Sequence, residues 1–299
     1  MSIRDKLKSV NIINSILAKK NYLLIKYNYM NKLKRDFKKS LGYELDLINP
    51  KTFNEKIQWL KLYYHRPILT AYADKYKVRK LIKEKIGEEY LIQHYGVYEN
   101  PKDINLDLLP NQFVLKPNHG AGRIIICTDK SKMNWNKELK KMHRWMKENY
   151  FYVNGEWQYK DIKPMIICEK LLQEDIIDYK IFCFNGEPRC IQVIGNRKDG
   201  NYYSNYYNLE WGLMDIDRVD HGKSYEIVPK PLNLNKMLEI SKIISSAFPF
   251  VRMDFYEVDG KIYFGETTFT PANGLIKFQP DKYDSIFGDY LKLPSETIL

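Results

Sequence analysis

The sequence predicts an α+β protein, because its strand patterns come in antiparallel hairpins and its helix patterns lie between them. Residues 250–266 show the clearest hairpin, since apolar and polar side chains alternate on both sides of Asp259-Gly260, a dipeptide typical of two-residue turns. Residues 178–194 repeat the pattern around an Asn-Gly turn. Apolar residues at three- and four-residue spacing predict helices, among them 232–248.

Residues 1–40 are predicted to form one or two helices with an apolar stripe. They hold eleven basic and two acidic residues, so they supply +9 of the net charge of +11. Such a segment either lies on an anionic membrane surface or docks on the body of the protein with its basic face in solvent, and both interpretations remain open. The rest of the chain is nearly neutral, which does not support nucleic-acid binding.

Residues 49–110 are predicted to form a second unit. Thr52 is predicted to cap a helix that runs to about residue 63, and Glu55 three residues later completes a capping-box pattern. The other predicted elements of this unit are a helix that continues through Asp74 and Lys75 to Gly87, a strand over 91–97 and a loop over 101–110.

A glycine-rich loop follows the strand predicted for residues 112–117, whose charged residue is Lys116. Gly120 and Gly122 permit positive φ, so that successive backbone N–H groups converge on one anion, and Lys116 adds a positive charge beside them. The sequence lacks the GK[ST] of a Walker A loop. A phosphate-binding loop and an ordinary glycine-rich hairpin turn both remain open. His119 either contacts the phosphate or is satisfied within the loop.

The remaining units are 111–172, which contains this loop, and 173–299. Predicted elements of the first include a helix over 131–150, an aromatic loop over 151–161 and a strand over 165–172. In the second, Asp178 and Lys180 share one face of a strand, and a polar, tyrosine-rich segment covers 202–217.

Two carboxylates are predicted to lie close together on the 250–266 hairpin. Asp254 and Glu266 come at the same distance on either side of the turn, so we expect them to share a face. Mg²⁺ binds one or two carboxylates together with phosphate oxygens, and Arg252 points to the same side as Asp254. These three residues suit a nucleoside triphosphate held through a metal. An exposed hairpin face with scattered charges gives the same pattern.

The four cysteines show no CxxC pair and lie in apolar, strand-like runs. We expect buried thiols of a reducing compartment and no zinc site. The apolar runs are shorter than the roughly 18 residues of a membrane helix, and no signal peptide is recognised. A cytoplasmic location is expected, with peripheral contact at the inner face of the membrane if residues 1–40 bind lipid.

Taken in order, these motifs resemble the ATP-grasp superfamily over about residues 50–280. The motifs that carry the resemblance are Asp74-Lys75 with Arg79, FVLKPNHGAGR at 113–123, ICEKLL at 167–172, VRMDF at 251–255 and GETTFTP at 265–271. The phrases FNEKIQWLKLY and DYKIFCFNGEP are similar to the TupA-like, teichuronopeptide-biosynthesis group of that superfamily. The resemblance implies two α+β lobes that clamp ATP, preceded by a helical segment over 1–48.

The resemblance also implies roles for individual residues. Lys116 would bind the α- and β-phosphates, Glu169 the ribose, and Arg252 the γ-phosphate. The backbone of Lys170 and Leu172 would read adenine. Further contacts to ATP are expected from Lys75, His119, Gly120, Gly122, Asp178 and Lys180.

The metal site departs from the usual family pattern. Asp254 and Glu266 would hold Mg²⁺, but Thr267-Thr268 stands where most members have x-Asn. The Thr268 hydroxyl is expected to replace the asparagine as a ligand, and the number of metal ions stays open.

The function implied is an ATP- and Mg²⁺-dependent carboxylate–amine ligase that acts through an acyl phosphate, with Lys116 and Arg252 as catalytic residues. Its expected substrates are a uronic acid of a surface polysaccharide or lipid-linked precursor and an amino acid or other amine. An alternative is a glycosyltransferase that uses a nucleotide sugar, because Asp215-Ile216-Asp217 matches the DxD pattern. A non-catalytic ATP-binding scaffold is a third.

Overall fold

The computed structural model describes the backbone of residues 3–196, 203–218 and 228–295, and the side chains of these ranges from residue 19 onward. The helices are α1 (Ile3–Leu41), α2 (Phe53–Tyr63), α3 (Pro67–Ala73), α4 (Lys77–Ile86), α5 (Trp135–Met146), α6 (Phe151–Asn154), α7 (Leu234–Ser245) and α8 (Lys282–Tyr290). The strands are β1 (His94–Tyr98), β2 (Phe113–Pro117), β3 (Ile125–Cys127), β4 (Ile166–Lys170), β5 (Asp178–Phe184), β6 (Glu187–Gly195), β7 (Tyr203–Tyr207), β8 (Asp217–Arg218), β9 (Phe250–Val258), β10 (Lys261–Thr268) and β11 (Phe278–Gln279).

The strands form two main sheets and one short ribbon. The smaller sheet has the order β1-β4-β2-β3, the larger has the order β10-β9-β5-β6-β7, and β8 pairs with β11 in the ribbon. Within the described ranges the strand pairs of these sheets are antiparallel. This arrangement confirms the α+β class that the hairpin patterns predict.

The larger sheet is covered by different residues on its two faces. On one face, Ile181 and Met253 pack in a core shared with α3, α4 and α7. On the other face, Phe182 and Phe250 pack with Phe53 of α2, and α8 closes this aromatic cluster. Because successive side chains of a strand point to opposite faces, this second face continues beyond the cluster into charged residues of β5, β9 and β10.

The smaller sheet packs one face against α5. Leu115 and Cys168 lie on that face and contact Met142 of the helix within one core. Alternate residues such as Val114 and Ile126 point to the opposite side, where the larger sheet lies. All four cysteines are buried and unpaired, as predicted.

Helix α1 forms the predicted N-terminal helical segment and has one non-helical residue, Asn28 (φ −149°, ψ 44°). Its last turns pack on the body of the protein, where Phe37 is fully buried. The Tyr29 hydroxyl donates a hydrogen bond to the Gly155 carbonyl. Among the described helices, none combines the length and the apolar composition needed to cross a membrane.

The second unit begins with the predicted capping box. The Thr52 side chain accepts a hydrogen bond from the Glu55 backbone N–H, and the Glu55 carboxylate accepts one from Thr52. This unit also supplies β1, which pairs with β4 of the following unit. The predicted division at residue 111 thus crosses the smaller sheet, and the unit boundaries stay predictions.

The helix predicted to continue through Asp74 is interrupted there. The Asp74 carboxylate accepts hydrogen bonds from the backbone of Tyr76 at 2.9 Å and of Lys77 at 3.2 Å, and from the Asn118 side chain at 2.8 Å. These bonds cap a new helix, α4, instead of continuing α3. Lys75 therefore lies in the break between the two helices.

Other boundaries also differ from the predictions, and residues 151–161, predicted as an aromatic loop, begin with helix α6. Helix α5 begins after Asn134 rather than at Ser131, because the Asn134 side chain caps it by accepting from the Lys137 backbone. The tyrosine-rich segment contains the edge strand β7, which pairs with β6. The sequence does not predict that pairing, because the segment is polar. Tyr202, at the start of the segment, lies outside the described residues.

Candidate functional site

The β9–β10 hairpin brings Asp254 and Glu266 directly opposite each other. Glu266 is one residue further from the turn than Asp254, and a bulge between Phe264 and Glu266 takes up that residue. Gly265 suits the bulge, because a Cβ atom there would lie 3.1 Å from the Asp254 carbonyl oxygen. The predicted pairing of the carboxylates is present, and the bulge produces it.

Asp254 is buried among cations. Arg252 donates to both of its carboxylate oxygens, from Nε and from Nη2, each at 2.7 Å. Lys180 donates to the same carboxylate and lies 3.5 Å from Asp178. Arg252 Nη2 also donates to the Thr268 hydroxyl at 3.0 Å. The sheet face thus holds the predicted residues of β5, β9 and β10 in one charged network.

Glu266 connects this network to Lys75. The Lys75 ammonium lies 3.0 Å from the Glu266 carboxylate and donates to the Gly120 carbonyl at 2.6 Å. Burial alone would raise the Glu266 pKa, but the charges of Lys75, Lys180 and Arg252 lower that pKa to about 2. Glu266 is therefore a carboxylate at neutral pH.

The donor atoms of this face fit Mg²⁺. Two paired carboxylates and the Thr268 hydroxyl supply hard oxygen ligands, and Mg²⁺ usually takes one or two carboxylates plus substrate phosphates. Within the described ranges there is no cluster of three or more His, Cys, Asp or Glu side chains suited to a metal. Lys75 and Lys180 form ion pairs with these carboxylates.

A cleft of about 280 Å³ lies between the two sheets. Its polar lining includes Lys116, Glu169 and Asp178, and its apolar lining includes Ile124 and Ile126. These two isoleucines keep 46% and 45% of their surface exposed because they face the cleft. An apolar wall with a few converging polar groups is typical of small-molecule sites.

Glu169 is the buried polar centre of the cleft. Its carboxylate lies 2.6 Å from the Lys116 ammonium and 3.4 Å from the Arg79 guanidinium. Beyond it, the Lys170 backbone N–H donates to the Gln93 carbonyl at 2.8 Å. That N–H is therefore used within the sheet. Leu172 lies past the end of β4 and also lines the cleft.

The glycine loop lies beside Lys75. Gly120 and Gly122 have φ values of 106° and 70°, and a Cβ atom on Gly120 would approach the Tyr150 ring to 2.6 Å. The Asn118 side chain anchors the start of the loop by donating to Asp74 at 2.8 Å. The positive φ values thus favour glycine at both positions, and at Gly120 the Tyr150 ring also leaves no space for a side chain.

His119 is buried within the same loop. Its ring nitrogens lie 3.2 Å from the Trp145 carbonyl oxygen and 3.3 Å from the Asn118 side-chain oxygen. Burial lowers the His119 pKa, so the ring is neutral at pH 7. Because both partner atoms are acceptors and a neutral ring carries one N–H, only one of these contacts is a hydrogen bond, and the expected contact of His119 with phosphate stays a prediction.

The family model described as TupA-like ATPgrasp matches residues 55–292. The chain belongs to this TupA-like ATP-grasp family. The match includes every predicted site residue, from Lys75 to Thr268. No curated protein matches the chain.

The solved structures to which the chain is similar include ligases. An L-amino acid ligase from Bacillus licheniformis is 13% identical over 91% of this chain and 64% of its own, with a TM-score of 0.51. A D-alanine–D-alanine ligase from Bacillus anthracis complexed with ATP is 17% identical over 68% of this chain and 57% of its own, with a TM-score of 0.41. The TupA-like chain thus spans less than two thirds of either ligase.

Two arginines of the site have no predicted role, although each lies in a motif of the resemblance. Arg79 contacts Glu169, and Arg123 ends the glycine loop.

The DxD pattern lies within the packed fold. Ile216 is fully buried in the aromatic cluster, and Asp217 belongs to the β8–β11 ribbon. The pattern is therefore part of the packed fold rather than a loop beside the cleft.

Proposed function

We propose that this TupA-like protein is an ATP- and Mg²⁺-dependent carboxylate–amine ligase. The observation that carries the proposal is the Lys75 ammonium, which contacts both Glu266 of the carboxylate hairpin and Gly120 of the glycine loop. It connects the expected metal ligands to the loop expected over the phosphates, next to a cleft of suitable size for adenine.

The proposed reaction has two steps. An oxygen of the substrate carboxylate attacks the γ-phosphorus of ATP, which gives an acyl phosphate and ADP. An amine then attacks the acyl carbon, phosphate leaves, and the amine nitrogen loses a proton. Such chemistry depends on positioning and charge neutralisation more than on covalent help from the protein.

The residues have distinct tasks in this mechanism. Lys116 and Arg252 neutralise charge that develops on the transferring phosphoryl group. Bound Mg²⁺, held by Asp254 and Glu266 with the Thr268 hydroxyl, would supply further charge neutralisation. The glycine loop closes over the phosphates and excludes water, which otherwise hydrolyses the acyl phosphate.

The adenosine is proposed to lie in the cleft between the sheets. Glu169 would bind the ribose, the Lys170 carbonyl and the Leu172 backbone would contact adenine, and Ile124 and Ile126 would cover one of its faces. The Lys170 N–H is excluded from this role by its bond to Gln93. Gly122 and the buried pair Asp178 and Lys180 complete the phosphate end of the site.

The proposed substrates are a uronic acid of a cell-surface polysaccharide or its lipid-linked precursor, and an amino acid or other amine. The TupA-like family supports this choice. The basic N-terminal helix suits an anionic precursor at the inner face of the membrane. From residue 19 onward, its exposed side chains include Tyr22, Leu23, Tyr27 and Met30 together with Lys19, Lys20 and Lys26.

Titration calorimetry tests the nucleotide site. Wild-type protein is titrated with a non-hydrolysable ATP analogue and Mg²⁺ and compared with Lys116→Ala and Asp254→Asn. We expect metal-dependent binding that weakens in both variants. A folded wild type that fails to bind the analogue would exclude the ligase function. If the site is established, uronic acids and amino acids are screened for ADP release.

Vesicle co-sedimentation tests the membrane contact. The variant Lys19→Glu, Lys20→Glu, Lys26→Glu should lose binding to vesicles that contain phosphatidylserine, because reversed charges repel the anionic surface. Equal binding by the variant and the wild type would contradict this role of α1.

A further inference from the structure

Arg123, the last residue of the glycine loop, carries a buried donor that has no acceptor within the described ranges. Its Nη2 atom pairs with Glu148, and its guanidinium carbon lies 5.3 Å from the centre of the Tyr150 ring. Its Nη1 atom is buried and has no hydrogen-bond partner among the described residues. Leaving a charged donor unsatisfied is costly, so an anion at Nη1 would be stabilised.

Tyr150 places this donor near the expected phosphate site. The ring lies directly beneath Gly120, whose carbonyl accepts from Lys75. Burial and the charge of Glu156 raise the Tyr150 pKa to about 12, and the charges of Arg123 and Glu266 both act on the same phenol. Contacts link Arg123 to the expected phosphate site through the Tyr150 ring, Gly120 and Lys75, whose ammonium lies 3.0 Å from Glu266.

The present partner of Arg123 does not hold it strongly. The Glu148 side chain is 45% exposed, whereas that of Arg123 is only 13% exposed. Ion pairs with an exposed member contribute little to stability because water screens them. The guanidinium can thus stay in contact with Tyr150 and either release Glu148 or keep it while it binds a more highly charged group.

We propose that Arg123 binds the γ-phosphate of ATP when the glycine loop closes. The inference rests on the proposed nucleotide site and adds a residue to it. Arg252 approaches the γ-phosphate from the sheet, and Arg123 approaches from the loop. Because ADP lacks this phosphate, Arg123 distinguishes the triphosphate from the diphosphate and couples loop closure to the presence of ATP.

The test compares two nucleotides across matched variants. Mg²⁺ complexes of the β,γ-imido analogue of ATP and of ADP are titrated into wild type, Arg123→Gln, Arg123→Lys and Arg144→Gln. Arg144 is an exposed arginine of the same lobe and serves as the control. We expect Arg123→Gln to weaken analogue binding about tenfold or more and ADP binding less than about twofold. Arg123→Lys should lose less, and Arg144→Gln should match the wild type.

The other outcomes separate two kinds of failure. Equal losses for the analogue and ADP would show that Arg123 only supports the loop, and would overturn the inference. Unchanged analogue binding in Arg123→Gln would also overturn it. If the wild type binds neither nucleotide, the proposed nucleotide site itself is wrong. Retained ADP binding in Arg123→Gln shows that the variant is folded.

Discussion

At the scale of single residues, Lys75 holds two parts of the site together. Its ammonium contacts Glu266 on the hairpin and the carbonyl of Gly120 on the loop. We predict that Lys75→Met weakens binding of the Mg²⁺–ATP analogue at least about tenfold, because a buried charged contact is lost beside the phosphates. Calorimetry measures the affinity, and limited proteolysis at residues 121–123 measures opening of the loop.

Lys77→Met is the matched control for this variant. Lys77 is exposed two residues further along the chain, so its replacement should change neither affinity nor cleavage. If Lys75→Met binds the analogue as tightly as the wild type and its loop resists protease equally, the connecting role of Lys75 is wrong.

The sequence predicts some of these residue positions and not others. Alternation around one turn places Asp254 and Glu266 in one hairpin, because the pairing is local, but a regular register would put Gly265 opposite Asp254, so the bulge is needed to bring the two carboxylates together. The position of Lys75 depends on the break at Asp74 and on Asn118 of the distant glycine loop, whose side chain donates to Asp74 and whose carbonyl accepts from the Lys75 backbone N–H. His119 shows the same limit, since its carbonyl partner belongs to Trp145 of helix α5. Contacts between distant segments leave no periodic signal in the sequence.

At the scale of elements, the start of α2 shows how local hydrogen bonds stabilise the unit that carries Lys75. The Thr52 hydroxyl accepts from the Glu55 backbone N–H and lies 2.9 Å from the Tyr43 hydroxyl. We predict that Thr52→Ala lowers the free energy of unfolding by about 1–2 kcal/mol, because the N-terminal turn loses its cap. Urea denaturation measures the change.

Thr52→Ser keeps the hydroxyl and tests the mechanism. Serine caps helices as well as threonine does, so this variant should stay within about 0.5 kcal/mol of the wild type. A loss in Thr52→Ser as large as that in Thr52→Ala would assign the effect to the methyl group instead of the cap.

The sequence predicts best those elements whose ends are marked by local motifs, such as helix caps and turn dipeptides. The capping box of α2 and the Asn-Gly turn between β5 and β6 act within a few residues. Strand β7 has no such signal, because its residues are polar and its place at the sheet edge depends on β6. The bulge at Gly265 belongs to the same class, since a single glycine does not reveal which ladder position it shifts.

At the scale of the whole molecule, Lys61 connects three segments that are far apart in sequence. This residue of α2 is 2% exposed, and its ammonium donates to the Asn273 side chain at 2.6 Å and to the Asn154 carbonyl at 3.2 Å. Asn273 follows the carboxylate hairpin, and Asn154 lies in α6 beside the N-terminal helix. Packing of α2 thus fixes the loops next to the site.

Burial of this ammonium gives the fold a pH dependence that can be measured. Burial lowers the Lys61 pKa from 10.5 to about 7. Between these values the unfolded chain holds a proton that the folded protein lacks, so stability must rise as the pH increases. We predict that Lys61 adds up to about 1.4 kcal/mol to the free energy of unfolding per pH unit above 7.

Urea unfolding of the wild type, Lys61→Met and Lys85→Met at pH 7, 8 and 9 tests this dependence. The wild type and the exposed Lys85→Met control should gain stability over Lys61→Met as the pH rises, because only Lys61→Met lacks the titrating group. Stability curves that run parallel for all three proteins would mean that Lys61 keeps its proton when buried. The Asn273 and Asn154 contacts would then hold a charged ammonium across the whole range, and deprotonation would play no part in joining α2 to the site loops.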